Sequence, residues 1–453
     1  MVDVKKILGD PALVVVFTYA PAGLGHLRVT DALFHGLPGG VNHYLLGSHD
    51  RSLSYIHRIV SIHPLGHRLM VWIQHGVAED VFSAFYRWYL RNNTRLIFEQ
   101  FTTILDQRLT IPKTVLVVAT HFGLAHQLAA IKQELSRARN IKIILVVQVT
   151  DDSPQKLWYI QGADLIVVPS HRTRERFLAY ARQANLVAAP IIVLPYPVSP
   201  ALSRPLLANE YADRIAQLKP KWYHPMHIII PISGAAVGQS YLAALINGLS
   251  RLSPRFSFHV VSKLTSYTRQ FIDKLANTAS VQMDVAGSDR EVVERYEDVY
   301  KKYTIALEVT KPSEQAFKAL VAPDKRGGSI LLFAHPVGQQ EYDNLDFLRR
   351  HHLIPSEDES RALWLGAEQE KSDQRFNSDL VIRSRLWRGL MLPPEANSAA
   401  GFIWWCFNHG IFWQMGHNEL KASSTDKHSQ EIAPDGVARF WQEVASYLQI
   451  ITI

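Results

Sequence analysis

The sequence predicts two doubly wound α/β halves facing each other across a cleft, with a mainly helical extension behind them. Three observations lead there. The chain has 453 residues, more than one ordinary hydrophobic core accommodates, so two domains are expected. Short Val/Ile/Leu runs alternate with helical patterns along most of it, as in parallel sheets covered on both faces. A single proline-punctuated stretch, 194–200, divides those runs into two successive sets. Bulk composition agrees with a globular chain: 47% hydrophobic and 20% charged residues, far from the disordered range.

The first set of runs covers 13–18, 41–46, 113–120, 142–150, 165–169 and 191–194, each read as a buried strand. Helical patterns such as 29–37 and 173–184 lie between them, which implies right-handed βαβ crossovers. In the stretch Leu194-Pro-Tyr-Pro-Val-Ser-Pro200, proline removes backbone donors and favours extended chain, so a linker is expected. Alternation then resumes, with strands expected at 226–233, 256–262, 281–285, 306–309 and 329–334. Past Pro355 the pattern changes: a charged segment precedes an aromatic one containing Trp404, Trp405, Phe407, Phe412 and Trp413. No strand is expected there. The expected division is 1–200, 207–355 and a helical, aromatic-rich 356–453.

Several classes drop out on composition. The one cysteine, Cys406, cannot form an internal disulfide framework or a cysteine metal site, which suggests a reducing, cytoplasmic setting. Lys5 and Lys6 precede the apolar run 12–19, but that run is short and leads into a glycine loop, so it reads as a strand rather than a secretory leader. No run reaches the ~18 apolar residues that a spanning helix needs. The formal net charge of +7 favours anionic partners. Its Lys and Arg residues are dispersed and no nucleic-acid module signature is present, which argues against nucleic acid and leaves an anionic membrane surface as a candidate partner. The aromatic tail is either core or a membrane-dipping surface.

Three constellations could carry chemistry. Ala20-Pro-Ala-Gly-Leu-Gly-His26 follows the first strand. Gly23 and Gly25 allow a tight turn and close approach, the next helix N-terminus attracts anions, and His26 offers an imidazole base. Ile232-Ser-Gly-Ala-Ala-Val-Gly238 repeats the arrangement in the second half, where Ser233, Gly234 and their amides could hold a diphosphate. The third is Glu308-Val-Thr-Lys-Pro-Ser-Glu314 together with Pro336-Val-Gly-Gln-Gln-Glu-Tyr-Asp-Asn344. Here Glu314 could accept two ribose hydroxyls, Lys311 could neutralise phosphate, and Gln339, Gln340 and Asn344 could read sugar hydroxyls. Pro312 and Ser313 also suit an ordinary helix start.

Together with the Val149-Thr-Asp151 strand end, these blocks resemble the GT-B glycosyltransferases, most nearly the group containing MurG and monogalactosyldiacylglycerol synthase. The resemblance spans 13–355 in motif order, and Gln-Gln-Glu-x-x-Asn is its most specific part. It implies two Rossmann-like domains, the C-terminal one holding a nucleotide-sugar and the N-terminal one an acceptor, often a lipid. By position it gives Glu314 the ribose; Gln339, Gln340 and Asn344 the sugar; and Gly234, with Ser233 and Ser313 nearby, the donor side. Gly23, Gly25 and His121 would line the acceptor side, with His26 or Asp151 as general base. It implies inversion without a bound metal, and the sequence has no Asp-x-Asp. The donor, a UDP-sugar for preference, is then a substrate and no cofactor is expected.

The glycine-rich run before the ribose-binding Glu is shortened here to Thr310-Lys-Pro-Ser-Glu314, and Leu24, Ala235 and Ala236 stand where glycine is usual. Two alternatives accompany the transferase reading: a nucleotide-sugar epimerase or hydrolase of the same fold, and a catalytically degenerate nucleotide-sugar-binding protein.

Overall fold

The computed structural model describes residues 2–19, 24–47, 76–108, 111–220, 224–232, 234–333, 338–369, 378–420 and 430–452. The chain divides into two compact units: 1–200 with 338–340 and 426–453, and 201–337 with 341–425. Each is built on one parallel six-stranded sheet.

The first unit contains β1 (Leu13–Tyr19), β2 (His43–Gly47), β3 (Thr114–Ala119), β4 (Lys142–Gln148), β5 (Leu165–Val168) and β6 (Ile191–Val193). They lie in the order β2-β1-β3-β4-β5-β6, and every neighbouring pair is parallel. Val14 to Phe17 and Val115 to Ala119 are fully buried, which is why these strands read as unbroken apolar runs. The β1–β3 register ends at Thr18 against Ala119. At this pair the order reverses, since β2 leaves β1 on one side and β3 flanks it on the other. Ligands of open α/β sheets bind beyond the strand ends at such a reversal.

The second unit contains β7 (Met226–Pro231), β8 (Phe256–Lys263), β9 (Val281–Ala286), β10 (Leu307–Thr310), β11 (Ser329–Leu332) and β12 (Gly389–Met391). Their order is β12-β11-β10-β7-β8-β9, again with all pairs parallel. The reversal falls between β7 and β10, where Leu307 pairs with Ile228. The expected fold class, two doubly wound Rossmann-like halves with a mostly helical C-terminal part, is borne out.

The tail differs in one respect from the sequence expectation and agrees in another. A strand does form there: Gly389–Met391 pairs with Ile330–Leu332, too short for a hydrophobic run to reveal it. The aromatic segment is core. Phe402, Trp405, Cys406, Phe407, Phe412 and Met415 join the buried cluster of the second unit. Helix Ala396–Asn408 packs on helix Gln239–Leu252 closely enough that a Cβ on Gly248 would lie 2.7 Å from the Ala400 Cβ. The last helix, Gly436–Thr452, belongs to the first unit instead. Trp441 is buried there, its indole N–H donating to the Leu33 carbonyl at 2.9 Å and its ring edge-on to Phe17.

Among the described residues, no helix is long and apolar enough to cross a membrane. The outer face of helix Gly76–Asn92 is nonetheless aromatic. Ser83 and Leu90 point inward, while Phe85 and Trp88 are 61% and 62% exposed and Phe82 and Tyr89 stand beside them.

The first unit contains an acid-sensitive residue. His126, on helix Phe122–Arg139, is 1% exposed and donates through Nε2 to the Leu157 carbonyl at 2.9 Å. Burial pushes its pKa down to about 3, with Arg91 and Arg87 adding to the effect. The folded protein therefore refuses a proton that the unfolded chain takes up near pH 6.5. Stability is complete above that pH and is lost as the pH falls through the window from about 6.5 to about 3, by on the order of 5 kcal/mol. Urea titrations across this window should show a slope that flattens in His126→Phe; an unchanged slope would assign the acid sensitivity to other groups.

Candidate functional site

At the reversal of the first sheet, β1 leads to helix Leu24–His35, whose first turn carries Gly25 and His26. The imidazole is tied down on one side. Its Nδ1 lies 2.8 Å from the Thr120 carbonyl and 3.2 Å from Thr150 Oγ1. A carbonyl only accepts, so Nδ1 carries a hydrogen, and in the neutral ring the lone pair is on Nε2. Thr120, just past β3, also bonds to the Thr30 hydroxyl at 2.7 Å and donates to the His26 carbonyl at 3.2 Å. All three threonines are buried. The His26 backbone and ring are thus bound by one strand end.

Aromatic rings complete the surround. His121, 6% exposed and the N-cap of helix Phe122–Arg139, meets His26 edge-on at 4.8 Å and stacks on Phe122 at 4.7 Å. The imidazole of His121 leaves no room for a side chain at Gly123, where a Cβ would sit 2.9 Å from its Cε1. Trp158 closes on His26 and Phe122. The two adjacent aspartates have different tasks. Asp152, 2% exposed, accepts from the Ser170 hydroxyl and from Thr173 Oγ1 at 2.8 Å, holding the start of helix His171–Gln183. Asp151 is half-buried and accepts from Thr150 Oγ1 at 3.4 Å. Gly23 lies outside the described residues.

At the reversal of the second sheet, the β7 loop and the β10 loop come together. The β7 loop uses two left-handed residues, Ala236 (φ 53°) and Gly238 (φ 81°). Only glycine fits at the second, because a Cβ would lie 2.5 Å from the Phe333 ring. Gly234 accepts from the Tyr267 hydroxyl at 3.2 Å, and Gln239 Nε2 donates to the Ala236 carbonyl at 3.1 Å. The amides that open helix Gln239–Leu252 follow at once. Ser233 lies outside the described residues.

The β10 loop is stitched to helix Gln339–Arg350. Lys311 Nζ pairs with Glu341 Oε1 at 2.5 Å, with side chains 15% and 3% exposed. Asn344 is fully buried and donates to the Pro312 carbonyl at 3.4 Å. The Lys311 charge is already balanced by a carboxylate, and the Asn344 amide braces the loop from inside rather than standing in the open. Ser313 caps a 3-10 helix, Glu314–Leu320, without a side-chain bond. Glu314 opens that helix half-buried. Gln339 and Gln340 are half-buried in the residues just before Glu341, and Gln340 folds its amide over Gly338.

Beneath Glu314 lies a buried polar knot. Glu308, on β10 and fully buried, accepts from the hydroxyls of Tyr296 and Tyr300 at 2.6 and 2.7 Å and pairs with Lys318 on the 3-10 helix. Burial, then the Glu308 charge, holds both tyrosines well above their ordinary pKa. Sequence reading missed Thr120, Thr150, Glu341 and this knot. Of these, Thr150, Glu308 and Glu341 had a signal, since they sit inside the Val149–Asp151, Glu308–Glu314 and Gln-Gln-Glu blocks.

No family model matches the sequence, and no curated protein matches it. Solved structures do resemble it in three dimensions. S. aureus MnaA in complex with UDP is 9% identical, covering 97% of this chain and 98% of its own, with a TM-score of 0.46. A UDP-GlcNAc 2-epimerase from Neisseria meningitidis bound to UDP-GlcNAc is 9% identical over 96% and 99%, with a TM-score of 0.44. A UDP-glucosyltransferase from Polygonum tinctorium that glucosylates indoxyl is 10% identical over 97% and 99%, with a TM-score of 0.42.

Proposed function

We propose that this chain transfers a hexose or N-acetylhexosamine from a nucleoside-diphosphate sugar, UDP for preference, to an acceptor hydroxyl, with inversion and without a metal. The observation that carries the reading is the coincidence of chemistry and topology. The histidine and the aspartate lie at or beside one sheet's reversal, and the anion-attracting helix start and Glu314 lie at the other's, where α/β sheets take ligands.

In this reading His26 Nε2 accepts the acceptor's proton while Nδ1–H stays on the Thr120 carbonyl. Charge growing on the departing diphosphate meets the Gly234 loop and the amides opening helix Gln239–Leu252. Lys311, paired with Glu341, contributes by shaping the loop. Glu314 holds the ribose, with Gln339 and Gln340 on the sugar.

The test is a thermal-shift and calorimetric screen of UDP, GDP, TDP and their sugars, run on the wild type and on Glu314→Ala. One nucleotide should raise the melting temperature selectively, by about 2.7 kcal/mol of stabilisation at a hundredfold excess over Kd, and the variant should lose it. No response to any nucleotide would overturn the proposal. The same Lys311–Glu341 pair favours a second reading, a binding protein without turnover; tight nucleotide-sugar binding with no transfer to any acceptor would select it. Product release from donor alone would point to an epimerase or hydrolase.

Peripheral attachment to an anionic membrane forms part of the proposal, with a lipid hydroxyl among the candidate acceptors. Support comes from the +7 charge and from the outward Phe85, Trp88 and Tyr89 of helix Gly76–Asn92, with Arg95, 93% exposed and paired with Glu99 at 2.8 Å, just beyond it. Aromatic rings beside arginines suit a headgroup layer. The tail aromatics are core and give no such support. Phe85→Ser with Trp88→Ser should weaken sedimentation with anionic vesicles severalfold at unchanged melting temperature; unaltered binding would remove this helix from the attachment.

A further inference from the structure

The proline-punctuated stretch 194–200, which lies in the first unit, also supports the His26 site. Tyr196, its third residue, is 3% exposed, and its hydroxyl donates to the Thr150 carbonyl at 2.9 Å. Thr150 is the residue whose hydroxyl stands 3.2 Å from His26 Nδ1 and 3.4 Å from Asp151 Oδ2. The proton inventory sets the directions. Because the Thr120 carbonyl can only accept, Nδ1 is a donor, and the Thr150 oxygen facing it must accept too. The hydrogen of Thr150 is then directed to the Asp151 carboxylate. Aspartate, hydroxyl and imidazole form one series, which favours the imidazolium that appears when Nε2 takes a proton. His26 and Asp151 are, on this geometry, two parts of one device rather than rival bases.

The returning C-terminal segment braces that series from behind. Gly436, at the start of helix Gly436–Thr452, packs backbone against backbone on the stretch holding Tyr196. A Cβ there would lie 2.4 Å from the Pro195 carbonyl oxygen and 2.5 Å from that of Tyr196. Such distances are closed to every residue but glycine, and neither neighbour is a flexible side-chain end that could give way.

We infer that Tyr196 is a positioning residue for the His26 imidazole, acting through Thr150, and that the Gly436 contact holds Tyr196 in register. Its effect on rate rests on the reading of His26 as the base; its effect on the ring does not. Tyr196→Phe removes one hydroxyl and keeps the buried ring. Thr150 then loses the bond that fixes its backbone, and its hydroxyl is no longer held in place against the shared Nδ1–H.

The experiment is ¹⁵N NMR of the histidine rings at a pH where they are neutral, with His26 assigned by its loss in His26→Gln. Wild type should show His26 as a single Nδ1–H tautomer. Tyr196→Phe and Thr150→Val should move the Nδ1 ¹⁵N and attached-proton shifts while the Thr120 carbonyl keeps the tautomer, Thr150→Ser should restore them, and Gly436→Ala should move them in the Tyr196→Phe direction. Melting temperatures taken alongside identify any variant whose shift comes from unfolding. Where transfer is measured, Tyr196→Phe should lower kcat roughly tenfold, as for one lost hydrogen bond, with KM nearly unchanged. Ring shifts identical to wild type in folded Tyr196→Phe and Gly436→Ala would overturn the inference even if the enzyme is active. Shifted rings in a protein that transfers to no acceptor would instead uphold the positioning and sink the transferase reading.

Discussion

His26→Ala is expected to lower turnover by about 10²–10⁴-fold, the usual contribution of a positioned general base, while donor binding stays close to wild type. The separation follows from where the ring sits. His26 belongs to the first unit, and its contacts are with Thr120, Thr150, His121 and Trp158. The phosphate-attracting loop and Glu314 belong to the second. Losing the imidazole takes away the proton acceptor and leaves the donor's groups in place, so kcat falls and the KM for donor does not rise. Asp151→Asn should have a smaller effect, because the carboxylate reaches the ring through the Thr150 hydroxyl. Steady-state kinetics with saturating donor checks both. A fall of less than tenfold in His26→Ala would move the base elsewhere.

Glu308→Ala is expected to destabilise the second unit by about 3–5 kcal/mol, the cost of leaving one member of a buried ion pair without the other. Lys318 has only 7% of its side chain exposed, so its ammonium cannot reach water without moving the 3-10 helix. Tyr296 and Tyr300 would lose the oxygen to which both donate. Replacing the pair together, Glu308→Leu with Lys318→Met, should recover much of the loss, since an apolar pair needs no countercharge. Urea unfolding followed by a probe in the second unit measures this. A loss below about 1 kcal/mol in the single variant would mean that the pair is solvated. The knot also links β10 to the helix that begins at Glu314, so the single variant should weaken nucleotide binding beyond its effect on stability.

The candidate site was legible where backbone geometry demands particular residues. Glycines and a histidine just after the first strand marked one reversal, and the Gly234–Gly238 loop marked the other. What could not be read was the neighbour across space. Thr120 and Thr150 follow ordinary apolar runs, and nothing in either run announces a bond to a ring 94 or 124 positions away. The partner of Lys311, Glu341, lies thirty residues on. The burial of Asn344 and its bond to the Pro312 carbonyl are likewise absent from a linear pattern.

The sequence by itself determined the two α/β halves. A parallel strand buried on both faces must be apolar at every position, and the turn after it must suit a helix start; both are local properties. Only the tertiary structure decided the fate of the last hundred residues. Gly389–Met391 is a strand because the edge of β11 offers it a ladder. The Trp405–Met415 aromatics are core because helix Gln239–Leu252 presents Gly248 for close approach. The final helix lies on the first unit because Leu33 and Phe17 receive Trp441. In each case the apolar surface had to be buried somewhere, and which surface received it depended on a shape formed by residues far away in the chain.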